Sequence, residues 1–291
     1  MTEIFGIPTQ AFMGQLLIGL INGSFYALLS LGLAVIFGLL NIINFTHGAQ
    51  YMMGAFVAWF LLNKAGVGYW WALLIAPIVV GVFGVIIERT MLKQLYKLDH
   101  LYGLLLTFGL ALIIQGVFRN EYGSSGLPYS IPSQLTGGQN LGFMFLPKYR
   151  GWVIIFSLIV CLSTWFVIEK TKLGSYLRAA TENPELVRAF GINVPRMITL
   201  TYGFGVGLAA LAGVMAAPIY SVNPLMGADL IIVVFAVVVI GGMGSIVTGF
   251  GLGIIEGLTK VFYPEASNTV IFIIMAIVLM FRPAGLFGTL R

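Results

Sequence analysis

Long apolar blocks alternate with short polar breaks along this chain, and the blocks are of membrane length. A hydrocarbon core about 30 Å thick takes roughly 20 apolar residues of helix. On that measure the sequence predicts helices near Phe12–Leu39, Asn44–Leu62, Trp70–Ile87, Leu101–Phe118, Gly151–Ile168, Met197–Ile219, Leu230–Met243, Ile246–Phe262 and Thr269–Phe281. Between the fourth and fifth, NEYGSSGLPYSIPSQLTGGQN is rich in Gly, Ser and Pro and reads as an exposed loop. Tyr69, Trp70 and Trp71 suit a membrane interface. The fold class is therefore all-α: one polytopic transmembrane helical bundle over residues 1–291. It has nine spans, or eight if the segment around Gly241, Gly242, Met243, Gly244 and Ser245 re-enters instead of crossing. Those glycines read as a helix break or a packing site, since no strand precedes them and no Lys-Ser/Thr follows, as a phosphate cradle would need.

One polar break differs from the rest. From Lys170 to Arg196, KTKLGSYLRAATENPELVRAFGINVPR carries five basic residues against Glu182 and Glu185, and it lies between two blocks without formal charge. Such an island sits in water, and its positive excess assigns that water to the cytoplasm. Arg89, Lys93 and Lys97 mark a second cytoplasmic loop, and Arg282 and Arg291 a cytoplasmic C-terminus. Nine spans with the N-terminus outside satisfy all three. Within the island Asn183 is a helix N-cap, Pro184 suits the first helical position, and Glu185 favours the helix dipole. Gly191 offers the stop. Leu186, Val187 and Phe190 are expected on one face of this short amphipathic helix. Two turns are marginal alone in water, so the helix needs a surface to pack on, its own bundle or a partner.

Polar groups recur inside the apolar blocks. Gln15, Gly19, Asn22, Tyr26 and Ser30 form a stripe on the first predicted helix, and Asn44, His47, Gly48 and Tyr51 a second stripe on the next. Amide, imidazole and phenol groups are costly in lipid, so these face the protein interior or an aqueous cavity. They either line a solute path or bond helix to helix. Small residues repeat every four positions at Gly205, Ala209, Gly213 and Ala217, and again at Ser245, Gly249, Gly253 and Gly257. That spacing lets backbones approach closely, within the chain or at a subunit seam. Asp229, Glu256 and Lys260 are placed at or near span ends, where long side chains can snorkel.

Composition narrows the function classes. With 59% hydrophobic and 9% charged residues, the chain reads as an integral membrane protein. The net charge of +5 belongs to loops, so nucleic-acid binding is not implied. Cys161 lies alone in an apolar block. The first apolar run is too long for a signal-peptide core and is expected to be retained. The sequence has no P-loop and no hydrolase or zinc-protease motif, and His47 lacks a second ligand. An ion-coupled carrier would need an embedded ionisable residue, and the pattern places only His47 deep. A passive pore subunit driven by something else fits better than a carrier or an intramembrane enzyme.

Three segments in order, NGSFYALLSLGLAVIFGLLNIINFTHG, RAATENPELVRAFGINVPR and IGGMGSIVTGFGLGIIEGL, resemble the permease subunits of bacterial ABC importers for branched-chain amino acids. The likeness covers nearly the whole chain and is to the shorter of two paralogous permeases. It implies a type II-like importer fold in the bacterial inner membrane, and import of branched-chain or other hydrophobic amino acids; related permeases carry urea or short amides. It further implies a second, paralogous permease, two cytoplasmic ATPases that hold the ATP and Mg, and a periplasmic or lipid-anchored solute-binding protein. No cofactor would bind this chain. Residues Glu182, Asn183, Pro184, Leu186, Val187, Phe190 and Gly191 would form the helix that couples to an ATPase. Gln15, Asn22, Tyr26, Asn44, His47 and Tyr51 are the candidate translocation path.

Overall fold

The computed structural model describes residues 3–4, 6–40, 44–96, 98–142, 144–242 and 245–287. A short antiparallel pair, β1 (Glu3–Ile4) and β2 (Ile7–Pro8), leads into α1 (Thr9–Leu40). There follow α2 (Thr46–Asn63) and α3 (Tyr69–Ile87), then a π-helical turn (Glu88–Leu92) that runs on into α4 (Lys93–Leu95). Next come α5 (His100–Tyr122), the antiparallel pair β3 (Gly138–Asn140) and β4 (Phe145–Pro147), and α6 (Lys148–Lys170). The island holds α7 (Lys172–Glu182) and α8 (Pro184–Ala189). The last elements are α9 (Val194–Tyr220), α10 (Ala228–Gly241), α11 (Ser245–Phe262) and α12 (Val270–Phe281).

Each of the nine apolar segments is occupied by one helix. Five helical stretches among the described residues are long and apolar enough to cross a membrane: Thr9–Gly38, Tyr69–Leu95, His100–Tyr122, Lys148–Lys170 and Val194–Tyr220. At about 1.5 Å per residue, α10 and α12 reach only roughly 20 Å, short of the hydrocarbon thickness. Two local expectations are corrected. The basic segment at Arg89 and Lys93 is not a loop but a helical continuation of α3, tied by Thr90 Oγ1 to the Ile86 carbonyl and by Gln94 Nε2 to the Thr90 carbonyl, both at 2.7 Å; Lys97 lies outside the described residues. The Gly-rich segment after α5 is not all loop. It ends in β3, which pairs with β4 just beyond it, and Leu127 bridges to Val222.

The chain packs as two compact units: Met1–Ser30 with Ile131–Cys161 and Val233–Arg291, and Leu31–Ser130 with Leu162–Ile232. In the first, the start of α1 lies against α11. A Cβ on Gly253 would stand 2.4 Å from the Gly19 carbonyl oxygen, and one on Gly257 would stand 2.5 Å from the Gln15 carbonyl. Gly249 meets Ala27 in the same way. In the second unit α9 is the buried centre. Its Gly205 abuts the Gly32 carbonyl of α1, and Gly213 abuts the Tyr51 carbonyl of α2 at 1.9 Å from the ideal Cβ. Both four-residue repeats are thus spent on packing within the chain, where close approach substitutes for the hydrophobic drive that lipid does not supply.

Candidate functional site

The island is built from its caps inward. Gly174 lets α7 turn directly off α6, since a Cβ there would overlap the Ile168 carbonyl. Arg178 donates to that same carbonyl at 3.2 Å and lies 3.5 Å from Glu169, an exposed pair that contributes about 0.2–1 kcal/mol. Asn183 Oδ1 accepts the Leu186 amide at 2.9 Å, and Pro184 occupies the first helical position of α8. Gly191 ends the helix at φ +82°, a left-handed geometry that glycine adopts without penalty. Asn193 Oδ1 then accepts the Arg196 amide at 3.1 Å and opens α9.

The expected common face of α8 divides in two. Val187 is 6% exposed and packs with Leu177 and Ala180 of α7 and Val194 and Met197 of α9. Leu186 and Phe190 are 54% and 76% exposed. With a turn this short, one apolar side chain suffices to anchor α8, and the other two are left facing out. They border a groove of about 460 Å³ whose walls also include Tyr176, Ala179, Glu182 and Ile192. An exposed phenylalanine thus stands beside an apolar groove on a helix fixed at both ends, the arrangement a docking surface would need.

The polar stripe of α1 leads to a residue the sequence reading misplaced. Glu256 is not near a span end with its carboxylate snorkelling; it is 5% exposed, well inside α11. Tyr26 donates to its Oε2 at 2.6 Å, Asn22 Nδ2 to its Oε1 at 3.2 Å, and Lys260 Nζ lies 2.7 Å from the same Oε1. Hydrogen bonds to a charged group contribute about 1.5–3 kcal/mol each. They join α1 to α11 beside the Gly19–Gly253 contact. Gln15 stands on the same stripe, and its buried Oε1 has no hydrogen-bond partner among the described residues.

In the other unit Asn44 Nδ2 donates to Tyr202 Oη at 3.1 Å and to Gln50 Oε1 at 3.4 Å. His47 is fully buried beside Gly32, and Tyr51 is buried with its carbonyl against Gly213. The entry to α2 is pinned to α5 by the Thr46 hydroxyl and the Phe45 amide, both bonded to Thr107. A second buried acid, Glu88, lies in this unit at the start of the π-helical turn and is 1% exposed. It accepts from the Tyr96 phenol and from Thr199 Oγ1 of α9, the latter at 2.7 Å. Burial first, then the Glu88 carboxylate beside it, raise the Tyr96 phenol well above its ordinary range, so it stays a donor.

His47 is therefore not the only deep ionisable residue. Glu88 was masked by its neighbour Arg89, which read as the start of a loop. The only local hint of Glu256 is that it interrupts an apolar run four residues before Lys260. Around the glycine run, α10 ends at Gly241 and α11 begins at Ser245, with Gly242 at φ +55°. A Cβ on Gly241 would meet the Thr248 hydroxyl; Gly244 lies outside the described residues.

Apolar helices of membrane-spanning length, a buried acid in each unit and an exposed, doubly capped island define the class as a polytopic helical membrane protein. Residues 15–279 match the family described as branched-chain amino acid transport system, permease component, and the chain belongs to it. It is 29% identical to the high-affinity branched-chain amino acid transport system permease protein LivH of Escherichia coli, covering 95% of this chain and 96% of that protein. It is equally similar, with the same coverage, to BraD of Pseudomonas aeruginosa, a permease protein of the same description. Likeness to LivM of E. coli is 26% over 91% of this chain and 68% of that protein. No solved structure matches the chain.

Proposed function

We propose that this chain is a membrane-spanning permease subunit of an ATP-driven importer for branched-chain or other hydrophobic amino acids. Residues 1–291 act as one permease domain, and the 170–196 island receives the force of ATP hydrolysis on separate subunits. The observation that carries this reading is the exposure of Leu186 and Phe190 on a rigidly capped helix in a chain of this family. Likeness to both LivH and LivM supports pairing with a second, paralogous permease. Two cytoplasmic ATPases, which hold ATP and Mg, and a periplasmic or lipid-anchored binding protein complete the assembly. Asn22 and Tyr26 bond Glu256, and Asn44 bonds Tyr202, so these three tie helices together; with Gln15, His47 and Tyr51 they are the proposed lining of the translocation path.

Reconstituted in liposomes with those partners, the chain is expected to support ATP-dependent accumulation of labelled leucine. Accumulation of urea or acetamide but not leucine would reassign the solute, and uptake of leucine without ATP would reject the mechanism.

The basic excess of the island supports a cytoplasmic island and C-terminus, and an odd number of spans then leaves the N-terminus outside. A cysteine at Thr181 in a Cys161→Ala background should therefore resist an impermeant thiol reagent added to whole cells and react after permeabilisation. Labelling in intact cells would invert the topology.

A further inference from the structure

Buried acids are rare in membrane proteins and by default mark function. Glu88 differs from Glu256 in that its carboxylate bonds two hydroxyls, and it forms no ion pair among the described residues. Its setting is also unusual. The α pitch of α3 gives way at Glu88 to a π-helical turn, a form that is rare and concentrates at functional sites.

What the carboxylate joins is informative. The docking helix α8 is anchored through Val187 to Val194 and Met197, so the island and the first turns of α9 share one small core. Thr199 follows two residues after Met197; its hydroxyl has two acceptors in reach, Glu88 Oε2 at 2.7 Å and, on its own helix, the Pro195 carbonyl at 3.0 Å, and the shorter contact is to Glu88. The shared seam of α3 and α9 is otherwise built from apolar and glycine contacts, including Val80, Ile87, Val206 and the Gly81–Gly203 approach. Such contacts resist separation, yet they have no direction and permit sliding. The Glu88–Thr199 bond is directional and fixes the register of the two helices.

We propose that Glu88 is the positioning residue that carries displacement of the α7–α8 island from the head of α9 into α3. The inference rests on the coupling role given to the island above. Force applied at Phe190 moves the first turns of α9, and the Thr199 hydroxyl passes that motion to α3 through the carboxylate. Tyr96, just past α4, holds the carboxylate from its other side and keeps it aimed at α9.

The test uses the assembled importer and reads leucine moved per ATP hydrolysed. Thr199→Val keeps the shape and removes the hydroxyl; Thr199→Ser keeps the hydroxyl and removes a methyl. The valine variant should lower the ratio by about threefold to tenfold with the ATPases still bound, and the serine variant should hold it near the parent value. A purely packing role gives the reverse order. A parental ratio in Thr199→Val, or equal losses in both, overturns the proposal. Should Thr199→Val not accumulate in the membrane, Tyr96→Phe is read the same way, and an unchanged ratio there overturns it. Phe190→Ala is run alongside. If it uncouples transport while Thr199→Val does not, only the role of Glu88 falls; if Phe190→Ala itself stays coupled, the island reading falls.

Discussion

Phe190→Ala should abolish most transport while leaving the chain in the membrane at normal abundance. The side chain is exposed in the isolated subunit, so its removal opens no cavity in the fold. Burying a phenylalanine in a partner's groove stabilises the contact by about 1.5–3 kcal/mol, roughly 10- to 150-fold in affinity. The expected signature is weaker co-purification of the ATPases, or hydrolysis that no longer drives uptake. Leu186→Ala should act in the same direction. Val187→Ala should behave differently, because it empties the core shared by α7, α8 and α9, and the loss appears as instability of the island. Full coupled transport by Phe190→Ala would remove the main support for an ATP-driven subunit.

The second large effect separates two glycines on one helix. A Cβ on Gly253 would stand 2.4–2.5 Å from backbone atoms of Gly19 and Gly23, whereas one on Gly251 meets nothing within 4 Å. Gly253→Ala should therefore destabilise the subunit by about 1–3 kcal/mol or more, since backbone cannot yield as a side chain can. Gly251→Ala should be neutral or stabilising by up to about 1 kcal/mol, the ordinary gain of alanine over glycine in a helix. Thermal unfolding of the singly expressed chain in detergent distinguishes them. Equal effects would mean that the α1–α11 seam does not form as described.

Much of the fold was legible because lipid imposes a simple code. The first apolar run predicted Phe12–Leu39 and the helix is Thr9–Leu40; Trp70–Ile87 became Tyr69–Ile87. The caps of α8 were legible too, since Asn183, Pro184 and Gly191 act on their immediate neighbours. The rotation of α8 was not. Which of three apolar side chains turns inward depends on α7 and α9, and the 11-residue α7 was itself hidden inside a charged segment. Charge near a span was read as an edge, so Glu88 and Glu256 were missed as interior residues. The polar stripe on α1 is legible as a solute path or a helix-to-helix tie, but the acid that Asn22 bonds lies 234 residues away, where periodicity gives no help.

That separation also sets an order of events in biogenesis. Asn22 and Tyr26 lie on α1, which is made well before α11 with their acceptor Glu256. At about 5–20 residues per second, synthesis of the intervening chain takes on the order of 10 to 50 s. Throughout that interval α1 lacks the bonds to Glu256 that tie it to α11. A chain interrupted before α11 therefore holds α1 without its tie to Glu256, so locking the first unit is among the last steps of assembly.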